Sequence, residues 1–114
     1  MRISPVTKLS PAEAVIAQLL RQSPSPLFGL ELVRRSPEGK LKLKKGTVYV
    51  TLERMEKKEL LTSELETSRP AHLKEGAFYI PRRLYRLTSK GKQALAVTLA
   101  AAAELHGFLE APSK

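Results

Sequence analysis

Apolar positions recur along this chain at two spacings, three to four residues in some stretches and two in others, with proline- and glycine-containing breaks between them. From Ser10 the sequence reads SPAEAVIAQLLRQ. A serine able to cap free N–H groups, a proline in the first turn and a nearby glutamate mark a helix start. Ala14, Val15, Ala17, Leu19 and Leu20 then make an apolar-rich helix ending near Ser23. Ser-Pro-Ser-Pro at 23–26 breaks it, because proline removes a donor and restricts the residue before it. A second short helix is predicted over about Leu27 to Arg35, with Leu27, Leu30 and either Val33 or Arg34 at helical spacing, before a turn at Ser36 to Lys40. Leu41 to Lys44 alternates over a very short span, as a stub strand or an extended lead-in. A third helix starts at Gly46 or a neighbour. At about 100° per residue, Val48, Leu52, Met55 and Glu59 share a narrow arc, and the first three form its buried stripe. Val50, Arg54 and Lys57 lie on the opposite arc, flanked by Thr47, Thr51, Glu53 and Lys58, with Tyr49 at the boundary.

The period then switches to two. Leu60 to Glu66 alternates, with Leu61, Ser63 and Leu65 on one face. A long connection over 67–83 carries Pro70, Gly76 and Pro81. Arg82 to Thr88 alternates again, Tyr85 and Leu87 against Leu84 and Arg86, which predicts an antiparallel hairpin closed by a basic loop. Thr88 or Ser89 caps a last helix reaching about Glu110, through an alanine run that forms helix well. Three helices, a hairpin and a long helix make a mainly α (α+β) winged helix-turn-helix with a two-stranded wing. The boundaries predicted are 1–88 for the DNA-binding domain and 89–114 for a C-terminal dimerisation helix and tail. In that motif the third helix enters the DNA major groove.

Composition narrows the picture. A chain of 114 residues, 42% hydrophobic, suits one domain with a modest core. Without cysteine it forms no disulfide and no thiolate metal site. The N-terminal stretch lacks the apolar core of a signal peptide, and the longest nearly apolar run, Ala94 to Ala103, is too short to span a bilayer, so a cytoplasmic protein with no membrane partner is expected. The net charge of +9 is concentrated in two blocks, each net +6: residues 34–58 hold nine basic and three acidic side chains, and residues 69–92 hold seven basic and one acidic. Such blocks suit an anionic partner if the fold joins them, and a solvated face kept for solubility otherwise. His72 and His106 have no acidic cluster beside them for a metal, and no glycine-rich phosphate loop or nucleophile motif occurs, so neither catalysis, cofactor nor metal is expected.

Residues 46–66, GTVYVTLERMEKKELLTSELE, followed by RRLYRLTSKGKQAL at 82–95, resemble the PadR family of transcriptional regulators. The match runs through Gly46, Thr47, Tyr49, Leu52, Glu56, Leu60, Arg82, Tyr85, Leu87, Thr88 and Gly91. PLFGLELVRR at 26–35 adds Gly29, Glu31 and Leu32, and the likeness covers about residues 10–105. Val50 stands where the family has proline, and residues 77–81 have no counterpart in its pattern. Glu59 stands where the family has a glycine suited to a left-handed helix end; keeping that backbone with a glutamate costs about 1 kcal/mol. The single C-terminal helix is similar to the family's short members.

The resemblance implies a sequence-specific DNA-binding regulator, a repressor by preference, with double-stranded DNA as partner. Thr47, Val50, Thr51 and Arg54 are then the base-reading face, Arg54 suited to a guanine edge and Val50 to a thymine methyl. Lys44, Lys45 and Tyr49 hold phosphates, although a boundary tyrosine also packs its ring in the core. Wing residues Arg69, His72, Lys74, Arg82 and Arg83 touch phosphates or the neighbouring minor groove. Lys57 and Lys58 serve the macrodipole at the helix end. On the last helix Leu95, Leu99, Ala102, His106 and Leu109 form one stripe, widened by Val97, Ala101, Leu105 and Phe108. A patch of that size marks either a homodimer interface, which the resemblance favours, or a helix packed on its own domain. His106 reads as a buried neutral side chain. The resemblance also implies a small hydrophobic or aromatic effector, in a cleft between the last and first helices lined by Phe108 and Leu99. A protein-interaction adaptor and a non-specific nucleic-acid binder are the alternatives.

Overall fold

The structure, a computed structural model, describes residues 8–66 and 82–110. Helix α1 spans Pro11–Gln22 and starts as predicted. The Ser10 hydroxyl accepts the Glu13 N–H at 3.2 Å, while the Glu13 carboxylate accepts the Ser10 N–H at 2.9 Å. This reciprocal cap satisfies two donors that a helix start otherwise leaves open. The following Ser-Pro-Ser-Pro does more than end the helix. Pro26 favours extended backbone before it, and the chain continues extended through a short strand, β1, at Leu27–Phe28. Helix α2 therefore covers only Gly29–Arg35, two residues less than its spacing predicted. Leu41 to Lys44 forms no strand and serves as a lead-in, with Leu43 buried. The Ser36 hydroxyl ties that lead-in to α2, donating to the Val33 carbonyl at 2.8 Å and accepting the Leu43 N–H at 3.1 Å.

Helix α3 spans Lys45–Lys57 and buries Val48, Leu52 and Met55, the predicted stripe. Thr51 is buried with them, at 4% exposure, which corrects its assignment to the exposed face. The reason is geometric: α3 packs against both α1 and α2, so its buried arc is wider than a single stripe. At its end the Leu60 N–H reaches back to the Met55 carbonyl at 2.9 Å and the Glu59 N–H to that of Glu56 at 3.0 Å. Closing the helix this way requires a left-handed residue between, and Glu59 supplies it with φ 64°.

Strands β2 (Leu61–Leu65) and β3 (Arg83–Leu87) pair antiparallel, Leu61 opposite Leu87 and Leu65 opposite Arg83. β1 adds to the far side of β3, Leu27 opposite Tyr85, so the wing's sheet has three strands in the order β1-β3-β2 rather than the expected two. Helix α4, Ser89–Glu110, starts at Thr88, whose hydroxyl accepts the Gly91 N–H at 3.0 Å and donates to the Glu59 carbonyl at 2.7 Å. A Cβ at Gly91 would strike the Leu60 carbonyl oxygen, so glycine is what lets α4 approach the end of α3. The core gathers Ile16, Leu32, Leu52, Met55, Leu60 and Leu61 with Ala94 and Leu95 of α4. Leu95 is 1% exposed, which removes it from the predicted dimer surface: the first turns of α4 complete the core of their own domain.

Candidate nucleic-acid interface

Helix α3 turns its second face outward. Lys44, Lys45, Thr47, Val50 and Arg54 are all exposed. The cations around this face divide by what they hold. Lys57 pairs with Glu53 at 3.4 Å, Lys42 with Glu38 at 3.5 Å, and Arg35 with Glu31 at 3.6 Å. Among the described residues, the side chains of Lys44, Lys45 and Arg54 have no hydrogen-bond or ion-pair partner. Three unpaired charges thus sit at the start and along the outer face of α3; among the described residues Arg34, Lys40 and Lys92 also have no ion-pair partner. The backbone N–H groups of its first turn point the same way as any helix N-terminus, toward an anion.

Tyr49, 41% exposed, lies over Gly29 at the start of α2. A Cβ at Gly29 would come within 2.7 Å of the Tyr49 ring, so this glycine makes room for the aromatic edge. The ring is thus packed on one side with its other side toward solvent. Arg82 is stacked on the Phe28 ring, 3.7 Å from its centroid, and pairs with Glu66 at 3.1 Å. Arg83 donates to the Ser63 hydroxyl at 3.0 Å, which in turn donates to Glu56 at 2.7 Å. These two cations are held at the base of the wing loop. Burial first, and then the Glu56 carboxylate, hold the Tyr85 phenol above its ordinary range, so it is neutral at physiological pH. Arg69, His72 and Lys74, predicted for the wing, lie outside the described residues.

Two partnerships were not visible in the sequence pattern. The Arg82 stack on Phe28 depends on β1, which local periodicity had assigned to a helix. Lys58, read as a macrodipole charge, reaches Glu13 of α1 at 2.9 Å and clamps the end of α3 to the start of α1. Burial alone raises the Glu13 carboxyl, but the Ser10 N–H and the Lys58 ammonium outweigh it and hold it below its ordinary value.

Beyond its first turns α4 leaves the domain. Leu99, Ala102, His106 and Leu109 of the predicted stripe are exposed, as are Leu105 and Phe108, the last at 77%. His106, expected to be buried, is exposed within the single chain. An apolar groove of about 350 Å³ runs between Ala14, Val15 and Leu19 of α1, Leu41, and Leu99 of α4. Phe108, expected in the same cleft, does not line it. Among the described residues no helix is long and apolar enough to cross a membrane.

A helix pair with a cationic outer face on its second member, flanked by a β-wing, defines a winged helix-turn-helix protein. Its sequence places it further: the chain matches the transcriptional regulator PadR-like family over residues 16–97 and belongs to that family, whose members are transcriptional regulators rather than enzymes. Solved structures agree. A PadR family transcription regulator from hypervirulent Clostridium difficile R20291 is 26% identical, with a TM-score of 0.66 over 88% of this chain and 95% of that one. A PadR-like transcription factor from Bacteroides fragilis is 29% identical, with a TM-score of 0.65 over 85% and 84%. Bacillus subtilis PadR, solved in complex with operator DNA, shares the fold at 19% identity and a TM-score of 0.56, over 90% of this chain and 48% of that one. None of the curated proteins compared with the chain matches it.

Proposed function

We propose that the chain is a sequence-specific DNA-binding repressor that acts as a homodimer on a pseudo-palindromic operator in the cytoplasm. The observation that carries this reading is the outer face of α3, where Lys44, Lys45 and Arg54 are exposed and unpaired while Arg35, Lys42 and Lys57 are matched to carboxylates. Arg54 and Val50 read base edges, with Thr47 beside them. Lys44, Lys45 and Tyr49 hold phosphates and set the register. Arg82 and Arg83, at the base of the wing loop, contact the flanking phosphate backbone. The complex of Bacillus subtilis PadR with operator DNA supports the same use of the fold.

Residues 1–88 supply DNA binding on this reading, and 89–114 supply dimerisation. The exposed stripe of α4, continuous with the groove on α1, is the surface a second copy covers. A two-fold pair then presents two α3 helices to half-sites about one helical turn apart. The groove suits a small hydrophobic or aromatic effector whose binding alters the spacing of those helices.

The test is selection of duplexes from a random pool, followed by anisotropy titrations of the selected and a scrambled duplex across a range of salt. A specificity gap of about 10³ at physiological salt is expected. Equal affinities that vanish together as salt rises would reduce the protein to charge-driven binding.

A further inference from the structure

Cationic residues from three elements line one cleft at the end of the wing remote from its loop. The loop end of the hairpin is the Leu65–Arg83 pair and the root is the Leu61–Leu87 pair. β2 leaves α3 at its C-terminal end, so the root lies away from Lys44 and Lys45. Beside the root, residues 23–26 run into β1 and, with β3 and the first turns of α4, enclose a cleft of about 200 Å³. Arg21 from α1, Arg86 from β3 and Lys92 from α4 line it together with Ser23 and Ser25, and no acidic residue lines it.

The donors are largely uncommitted. Arg21 uses only its Nε, donated to Gln18 Oε1 at 3.1 Å, leaving its terminal nitrogens. Arg86 shares its sheet face with Thr62 and Leu84 rather than with Tyr85 and Leu87, and its guanidinium stands 3.8 Å from Glu64 there, so it adds positive charge beside the cleft rather than a donor inside it. Lys92 has no side-chain partner among the described residues. The Ser23 hydroxyl donates to the Ser25 carbonyl at 2.6 Å and holds the backbone of the loop. Like charges converging on a concave volume concentrate a positive field there. A guanidinium fork and an ammonium together are a donor set that matches phosphoryl oxygens.

We propose that this cleft binds a phosphate-bearing small molecule, at a site separate from the outer face of α3. The proposal does not depend on the DNA-binding reading. An occupant touches α1, the wing and α4 at once, and so sits at the junction between the domain and its C-terminal helix.

The experiment is a pyrophosphate titration of the full chain followed by amide NMR, with ionic strength held constant by chloride. Saturable shifts are expected at Ser23, Ser25, Arg86 and Lys92. The double substitution Arg21→Gln with Lys92→Gln should weaken binding by about tenfold, and Lys44→Gln with Lys45→Gln should leave it within about twofold, an order-of-magnitude allowance for screened long-range charge. Circular dichroism of each variant confirms that it is folded, and Arg21→Lys, which keeps the charge but loses the fork, should bind more tightly than Arg21→Gln and less tightly than the parent chain. Shifts strongest along Lys44 to Arg54, shifts spread evenly over all basic residues, or an affinity unmoved by the Arg21 and Lys92 changes would each overturn the site.

Discussion

Glu59 holds a left-handed backbone, φ 64°, that costs a glutamate about 1 kcal/mol more than glycine. The two hydrogen bonds that close α3 around it, and the buried Leu60 that follows, keep it there. Glu59→Gly should therefore raise stability by about 1 kcal/mol in urea denaturation, with the slope unchanged. A variant of equal or lower stability would show that the glutamate is not strained. This residue is legible in the sequence, because the family pattern has glycine at its position. Thr51 is not. A helical period locates the centre of a buried stripe but not its width, and the width is set by how many neighbours α3 has. Leu95 is hidden for the same kind of reason: the turn at which α4 leaves its own core depends on where Leu60 and Leu61 lie, which helical spacing does not give.

Elements join through contacts that periodicity cannot see. The α1–α3 clamp combines the predicted cap of α1 with Lys58, forty-five positions away in sequence. Its pH dependence follows from the direction of the Glu13 shift. The folded carboxyl titrates below its ordinary value of 4.5, so its contribution is complete above about that pH and is lost as pH falls through the lower folded value. Glu13→Gln should cost about 1–2 kcal/mol at neutral pH, a magnitude set by the lost charged hydrogen bonds, and should flatten the fall in stability on acidification. A variant whose acid midpoint matches that of the parent chain would contradict the clamp. Strand β1 makes the same point from the other side. Leu27 and Phe28 fit a helix by spacing, yet pairing with β3 holds them extended, and only that long-range pairing decides between the two.

At the scale of the molecule, the order of three helices, wing and long helix was legible from the alternation of periods alone, and the family from three motifs in order. What the exposed surfaces contact was not, since one sequence pattern serves a solvated face and a bound one alike. Leu99, part exposed on α4 and also lining the groove on α1, is where the dimer reading is most vulnerable. Leu99→Glu should halve the mass seen by light scattering while leaving the domain folded, and an unchanged mass would remove α4 from the interface. The central claim is that the outer face of α3 reads DNA, and base preference tests it most directly. Affinities of Arg54→Ala and Lys44→Ala are measured against a selected operator and its single-base variants. Loss of about 1–3 kcal/mol of discrimination at one position is predicted for Arg54→Ala, and uniform weakening across all sequences for Lys44→Ala. Uniform weakening by both, or no effect of either, would contradict it.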